Sequence, residues 1–242
     1  MNELISAMKS YGDALQLVRT HGLWGYVLIP GVLSILLGAA ILLAAIAAAD
    51  DVGGWMAMWW PWEKGASVVQ TIANVFGGLL IAIIGFFTFR QIVLVVTAPI
   101  MSILSEKVEF ILTGRKESGW SLMRLLRDVV RGLRIALRNL SREVFFTIVL
   151  LLLGLIPLFT PFTTFLIFLL QAYYAGFGNM DFALERHFGY RDSVRFVSNH
   201  KAVALGNGIV FMLLLFTFLG FLVALPLGTI AATIDVVKRL EE

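Results

Sequence analysis

No cysteine occurs among the 242 residues, which excludes disulfides, thiolate metal sites and cysteine nucleophiles. Charge is also scarce: Asp, Glu, Lys and Arg make up 14% of the chain, against about a quarter in a soluble domain. Catalytic signatures are missing as well. The three histidines, His21, His187 and His200, lie far apart in sequence, with no H-E-x-x-H, G-x-S-x-G, P-loop or G-x-G-x-x-G pattern. The sequence therefore predicts no enzyme, no metal and no cofactor, and no nucleic-acid motif accompanies its basic residues.

What the chain has in excess is apolar length. Hydrophobic residues make up 59% of it and the mean hydropathy is +0.89. Uncharged runs cover 23–49, 65–89, 92–105, 144–180 and 202–234. Four of them exceed the roughly 20 residues that a spanning helix needs. Continuous runs predict helices and not the alternating strands of a membrane barrel. The first run ends in AIAAADD, which superficially resembles a signal-peptidase site. Its 27 uncharged residues are far longer than a signal h-region of about 7–15, so it is expected to remain as a membrane anchor.

Lys and Arg sort unevenly between the runs: two in 1–22, one in 50–64, nine in 106–143, four in 181–201 and two in 235–242. The positive-inside rule puts the basic segments, and with them both termini, in the cytoplasm. Only 50–64 is left outside, and its WMAMWWPWEK reads as an aromatic interface belt. Residues 23–49 and 65–89 are then two transmembrane helices, the second extending towards 105. Arg90 at its end has two readings, an intramembrane functional charge or a side chain snorkelling to the interface. Ala40, Ala44 and Ala48 offer a small-residue seam on the first helix.

The runs 144–180 and 202–234 start and finish on the basic side, so each must turn. Gly154, Pro157 and Pro161 break the first into arms 144–156 and 162–180, and Gly220, Pro226 and Gly228 interrupt the second. Arms of 13–19 residues rise about 20–28 Å, against a hydrocarbon core of about 30 Å. Two arrangements fit: hairpins that dip in and return, or tight full crossings in a thinned bilayer. The re-entrant form is the expectation. It requires turns buried in protein or lining a cavity, where Thr160, Thr163 and Thr164 can donate to free carbonyls.

Between them, 119–142 reads as an amphipathic helix. Arg124, Arg127, Arg131, Arg134, Arg138 and Arg142 are spaced 3, 4, 3, 4 and 4, an arc of about 80° at 100° per residue. Leucines and valines cover the other face. Such a helix lies on the cytoplasmic surface, with its arginines either on anionic headgroups or forming a vestibule that concentrates anions. The fold class is thus an all-α integral membrane protein in one membrane domain. It has two transmembrane helices, a basic interfacial helix and two re-entrant, hemi-penetrating helical hairpins.

The stretch TAPIMSILSEKVEFILTG (97–114) resembles the Ala-Pro, Leu-x-Glu-x-x-Glu, Leu-Thr-Gly signature of the CysZ sulfate permeases. HGLWGYVLIPGVLSILL (21–37) looks like that family's first membrane helix, and 177–208 is similar to the loop between its hairpins. The resemblance covers nearly the whole chain in the same order. It implies two full membrane helices, two partially inserted hairpins and homo-oligomers. It also implies uptake of sulfate across the bacterial inner membrane, with the wider family including etoposide-induced membrane proteins. Gly22 and Leu23 match the family's anion-binding turn, whereas the arginines that follow there are Trp24 and Gly25 here. Arg19 and His21 stand as substitutes, so Arg19, His21, Gly22, Leu23 and Trp24 are the anion-binding candidates. Pro99, Glu106 and Glu109 match the family, and Asp181 matches without its proline; these, with Arg90, are pathway or structural candidates. The expected activity is a permease or channel for a small inorganic anion. A non-transporting scaffold or lipid-interacting protein is the alternative.

Overall fold

The computed structural model of the chain describes residues 2–57, 68, 71–72, 74–75, 77, 97–114, 122–217 and 220–241. Among these, eight helices and no strands occur, so the described chain is all-helical, in keeping with a membrane protein. They are α1 (Asn2–Thr20), α2 (Trp24–Ala57), α3 (97–113), α4 (Leu122–Gly154), α5 (Thr160–Leu184), α6 (Tyr190–Asn199), α7 (Lys201–Leu215) and α8 (Gly220–Leu240). The Trp59, Trp60 and Trp62 belt, Arg90 and most of 65–89 lie outside the described residues.

Two compact units divide the chain, Met1–Leu28 with Ile100–Glu242, and Ile29–Pro99. The second contains most of α2. Trp24–Ala44 of this helix is the one described segment long and apolar enough to cross a membrane, at a mean hydropathy of 2.6. Pro30 lies inside it, and Ser34 Oγ donates to the Pro30 carbonyl at 2.7 Å, as hydroxyls do around proline in apolar helices.

The first unit has two cores. Ile135, Phe177, Met180, Leu184, Val197, Val203 and Val236 form one, where α4 to α8 meet. Val18, Leu23, Val27, Met101, Leu104, Val108 and Ile230 form the other, around α1, α3 and α8. Helices α5 and α7 approach backbone to backbone. A Cβ on Gly176 would fall 1.8 Å from the Ala204 carbonyl oxygen, and one on Gly208 would fall 1.6 Å from that of Ala172. Ala172/Gly176 and Ala204/Gly208 are thus small-residue pairs four apart on facing helices.

The first hairpin breaks where glycine and proline placed the break. Helix α4 stops at Gly154 and α5 starts at Thr160, with Pro161 in its first turn, where a missing N–H costs nothing. Thr160 Oγ1 donates to the Gly154 carbonyl at 2.8 Å, Thr163 Oγ1 to Phe159 at 3.1 Å and Thr164 Oγ1 to Thr160 at 2.8 Å. The threonines therefore satisfy carbonyls at and after the turn, as the sequence suggested. The turn itself is exposed: Leu155 is 77% exposed and Leu158 75%.

Two boundaries differ from expectation. The described part of the expected interfacial helix, 122–142, and the arm to Gly154 are one continuous α4, because no glycine or proline stands between Gly132 and Gly154 to stop it. Pro226 does not interrupt the second hairpin; it lies inside α8. The break falls before Gly220, whose Cβ would lie 2.0 Å from the Leu214 carbonyl oxygen. Packing of α8 on α1, α5 and α7 outweighs the roughly 3 kcal/mol that an interior proline costs.

Candidate functional site

Helix α1 ends in a tight reversal. Gly22 has a φ of +66°, a left-handed conformation that glycine adopts without a Cβ clash. The Leu23 amide donates to the Val18 carbonyl at 3.1 Å, and its side chain is fully buried in the second core. Leu23 is thus the anchor of the turn, with its amide already used. Arg19, His21 and Trp24 stand out into solvent around it. Thr20 Oγ1 is 2.9 Å from His21 Nδ1. Lys107 of α3 lies with Nζ 5.1 Å from the Tyr26 ring centroid, which brings another cation to the first turn of α2. The result is an exposed cationic corner at the start of α2, where the first amides have no carbonyl one turn back.

Away from that corner, several charges are bound to one another. Arg186, just after α5, puts Nε and Nη2 at 3.0 and 2.8 Å from Glu109 Oε2, and His187 Nε2 is 2.9 Å from Glu109 Oε1. Arg186 also donates to the Phe182 carbonyl at 2.8 Å and to Ser105 Oγ at 2.9 Å. Ser105 reaches Thr233 Oγ1 at 2.8 Å, and Ser102 hydrogen-bonds Glu185. Burial would raise the Glu109 carboxyl; the His187 and Arg186 hydrogen bonds and charges outweigh it and hold it down at about 2.

On the other side, Arg131 of α4 donates Nη2 to Asp181 Oδ1 at 2.9 Å and Nε to the Phe188 carbonyl at 2.9 Å, and it hydrogen-bonds Ser193. Burial raises the Asp181 carboxyl, and the Arg131 charge offsets only part of that. With a side chain 9% exposed, Arg131 is turned into the protein. Its neighbour Arg134 stacks 4.5 Å from the Tyr190 ring centroid, and Arg138 donates to Asn139 at 2.7 Å. Arg127 and Arg142 are exposed, and Arg124 is on the first turn of α4. The arginine stripe is therefore divided, with Arg131 and Arg134 held against the 181–199 segment and Arg127 and Arg142 facing out.

Of the pathway candidates, Glu109 and Asp181 each take part in an ion pair that holds this segment, with Arg186 and Arg131. Glu106 is half-buried on α3, and Pro99 is exposed among the described residues of α3, in the second unit. Sequence reasoning missed Arg186 and His187, because pairs 77 and 78 positions from Glu109 leave no local pattern. It also missed a buried polar spine. Tyr11 Oη donates to the Asn207 carbonyl at 2.9 Å, Asn179 Nδ2 to Asn207 Oδ1 at 2.8 Å, and Asn207 Nδ2 to the Gly228 carbonyl at 3.0 Å. Two asparagines inside uncharged runs were the available signal, since amides in apolar helices mark contacts between helices. Among the described residues no three His, Asp or Glu side chains gather as a metal site requires.

A family model described as Sulfate transporter CysZ/Etoposide-induced protein 2.4 matches residues 10–226. Proteins named Sulfate transporter CysZ from Pseudomonas aeruginosa strains LESB58 and PAO1 are each 28% identical to this chain over 238 residues, 97% of it and 96% of theirs. One of the same name from Pseudomonas paraeruginosa is 26% identical over the same shares.

Proposed function

The chain belongs to the Sulfate transporter CysZ/Etoposide-induced protein 2.4 family, a transporter family and not an enzyme family, and on that footing we propose that it is a permease or channel for a small inorganic anion, sulfate first. The observation that carries this reading is the exposed corner of Arg19, His21, Gly22 and Trp24. It occupies the place that the family resemblance gives to anion binding. Guanidinium and imidazole donors beside the amides of a helix start suit an oxyanion. Arg127 and Arg142, on the outer flanks of the stripe, would raise the local anion concentration.

In this reading α2 crosses the bacterial inner membrane, a second crossing lies in 65–89, and α4–α5 and α7–α8 enter from the cytoplasmic side and return. Both termini are cytoplasmic. The exposed apolar turn at Leu155–Phe159 supports a homo-oligomer, in which other copies or lipid cover it. Labelled sulfate flux into liposomes tests the function, with the Pseudomonas aeruginosa relative as control. The expected result is flux above empty vesicles that falls about tenfold in Arg19→Ala. Flux from the control and none from this protein overturns the assignment. A second reading, a non-transporting scaffold, is favoured by one observation: Trp24 and Gly25 stand where the resemblance expects arginine.

A further inference from the structure

A groove of about 480 Å³ runs along the first unit between α4, α5 and α7, with Leu4 of α1 at its edge. This lies within the range of about 300–1,000 Å³ typical of ligand pockets. Its walls are apolar, with Phe146 and Leu150 on one arm of the hairpin and Leu166 and Leu170 on the other. Phe146 and Leu166 are both 47% exposed, so the groove is open to whatever surrounds the protein.

One end differs from the rest. Lys201, the first residue of α7, is the charged lining residue, and Tyr173 of α5 also lines the wall. The direction is fixed by the hairpin: Phe146 and Leu170 precede Leu150 and Leu166 on the way to the turn at 155–159, and Lys201 and Tyr173 lie at the opposite end. One cation and one phenol thus line the end away from the turn, and apolar walls lead from there toward it. That gradient matches the profile of one bilayer leaflet from headgroup to acyl chain.

We propose that this groove is a binding site for a single anionic glycerophospholipid, with its phosphate at Lys201 and Tyr173 and one acyl chain along Phe146, Leu150, Leu166 and Leu170. Charge complementarity selects this occupant. A second copy of the chain would cover the apolar walls and leave the Lys201 end without an anion, whereas a phospholipid meets both ends at once. The proposal rests on the membrane reading alone and does not depend on which anion the protein carries, so sulfate flux can fail without touching it.

Native mass spectrometry of the full-length protein, titrated with dioleoyl phosphatidylglycerol or dioleoyl phosphatidylcholine, tests it. The expected result is one phosphatidylglycerol bound in preference to phosphatidylcholine. Lys201→Glu should weaken that binding about tenfold, and Leu166→Trp, which fills the channel, should weaken it for both lipids. Arg195→Glu, an exposed cation that does not line the groove, should leave it within about twofold. Lys201→Gln, measured alongside, gives the same direction should the charge reversal not fold. Equal binding of the two lipids by the unmodified protein overturns the proposal, as does unchanged binding in both Lys201 variants. A change of oligomeric mass in Leu166→Trp with lipid binding intact also overturns it, and assigns the groove to a second copy.

Discussion

Arg186 places two nitrogens, Nε and Nη2, on the same oxygen of Glu109, while His187 takes the other oxygen. One carboxylate of α3 therefore holds the start of the segment that joins the two hairpins. Both partners in the ion pair are nearly buried, at 8% and 12% side-chain exposure. Removing one charge leaves the other desolvated without a counter-ion, so Glu109→Gln is expected to cost about 2–3 kcal/mol in unfolding measurements in detergent.

The same carboxylate sets a pH dependence. Its folded pKa is depressed to about 2 from 4.5, so its contribution is full above about pH 4.5 and is lost as the pH falls towards 2. Asp181 and Asp235 act in the opposite sense, since burial raises both and protonation relieves them. Thermal unfolding followed from pH 7 to pH 3 should show a steeper acid loss in the unmodified protein than in Glu109→Gln. Parallel curves would mean that Glu109 is not the group responsible.

Arginines of one stripe should differ sharply in effect. Arg131→Ala strands Asp181, the Phe188 carbonyl and Ser193, and is expected to cost about 3 kcal/mol. Arg127→Ala, on an exposed face, should stay within about 0.5 kcal/mol. The Arg131→Ala, Asp181→Asn double-mutant cycle should return a coupling of about 1–3 kcal/mol.

Glycines of α5 give the cleanest contrast. Gly176→Ala drives a methyl into the Ala204 carbonyl and should prevent correct packing of α5 on α7, seen as loss of the folded species in size-exclusion chromatography. Gly178→Ala meets nothing within 4 Å, and in mid-helix it should stabilise by about 0.5–1 kcal/mol.

Depth of the hairpins is open to direct measurement, because the chain contains no cysteine. Single cysteines at Thr160 and Phe216, the two turns, should resist an impermeant maleimide applied from outside intact cells and react once detergent is added. Rapid labelling before detergent would replace re-entrant hairpins with full crossings. Thr160→Cys also removes the hydroxyl that donates to the Gly154 carbonyl, so Ile156→Cys serves as a second probe of the same turn.

Parts of the fold were legible because their causes are local. Pro157, Pro161 and Gly154 marked the first turn, and the three threonines marked the donors that satisfy its carbonyls. Gly22 and Leu23 were singled out as a turn, and the structure gives that turn its left-handed glycine and buried leucine. Pro226 was misread for the complementary reason: proline lowers the stability of a helix locally, and only packing from other helices decides whether it breaks.

By itself, the sequence determined the helical class, the membrane composition and the place of the first hairpin's turn, since apolar run length, charge and proline act within a few residues of themselves. Only the tertiary structure decided what each charge does. A helical wheel places Arg131 and Arg127 on one face and cannot say that Asp181 and Phe188 will lie against one of them and solvent against the other. Nor could it pair Glu109 with Arg186, or bring Ala172 and Gly176 against Ala204 and Gly208. Those pairings depend on which helix faces meet, a choice made by the burial of two cores assembled from segments far apart along the chain.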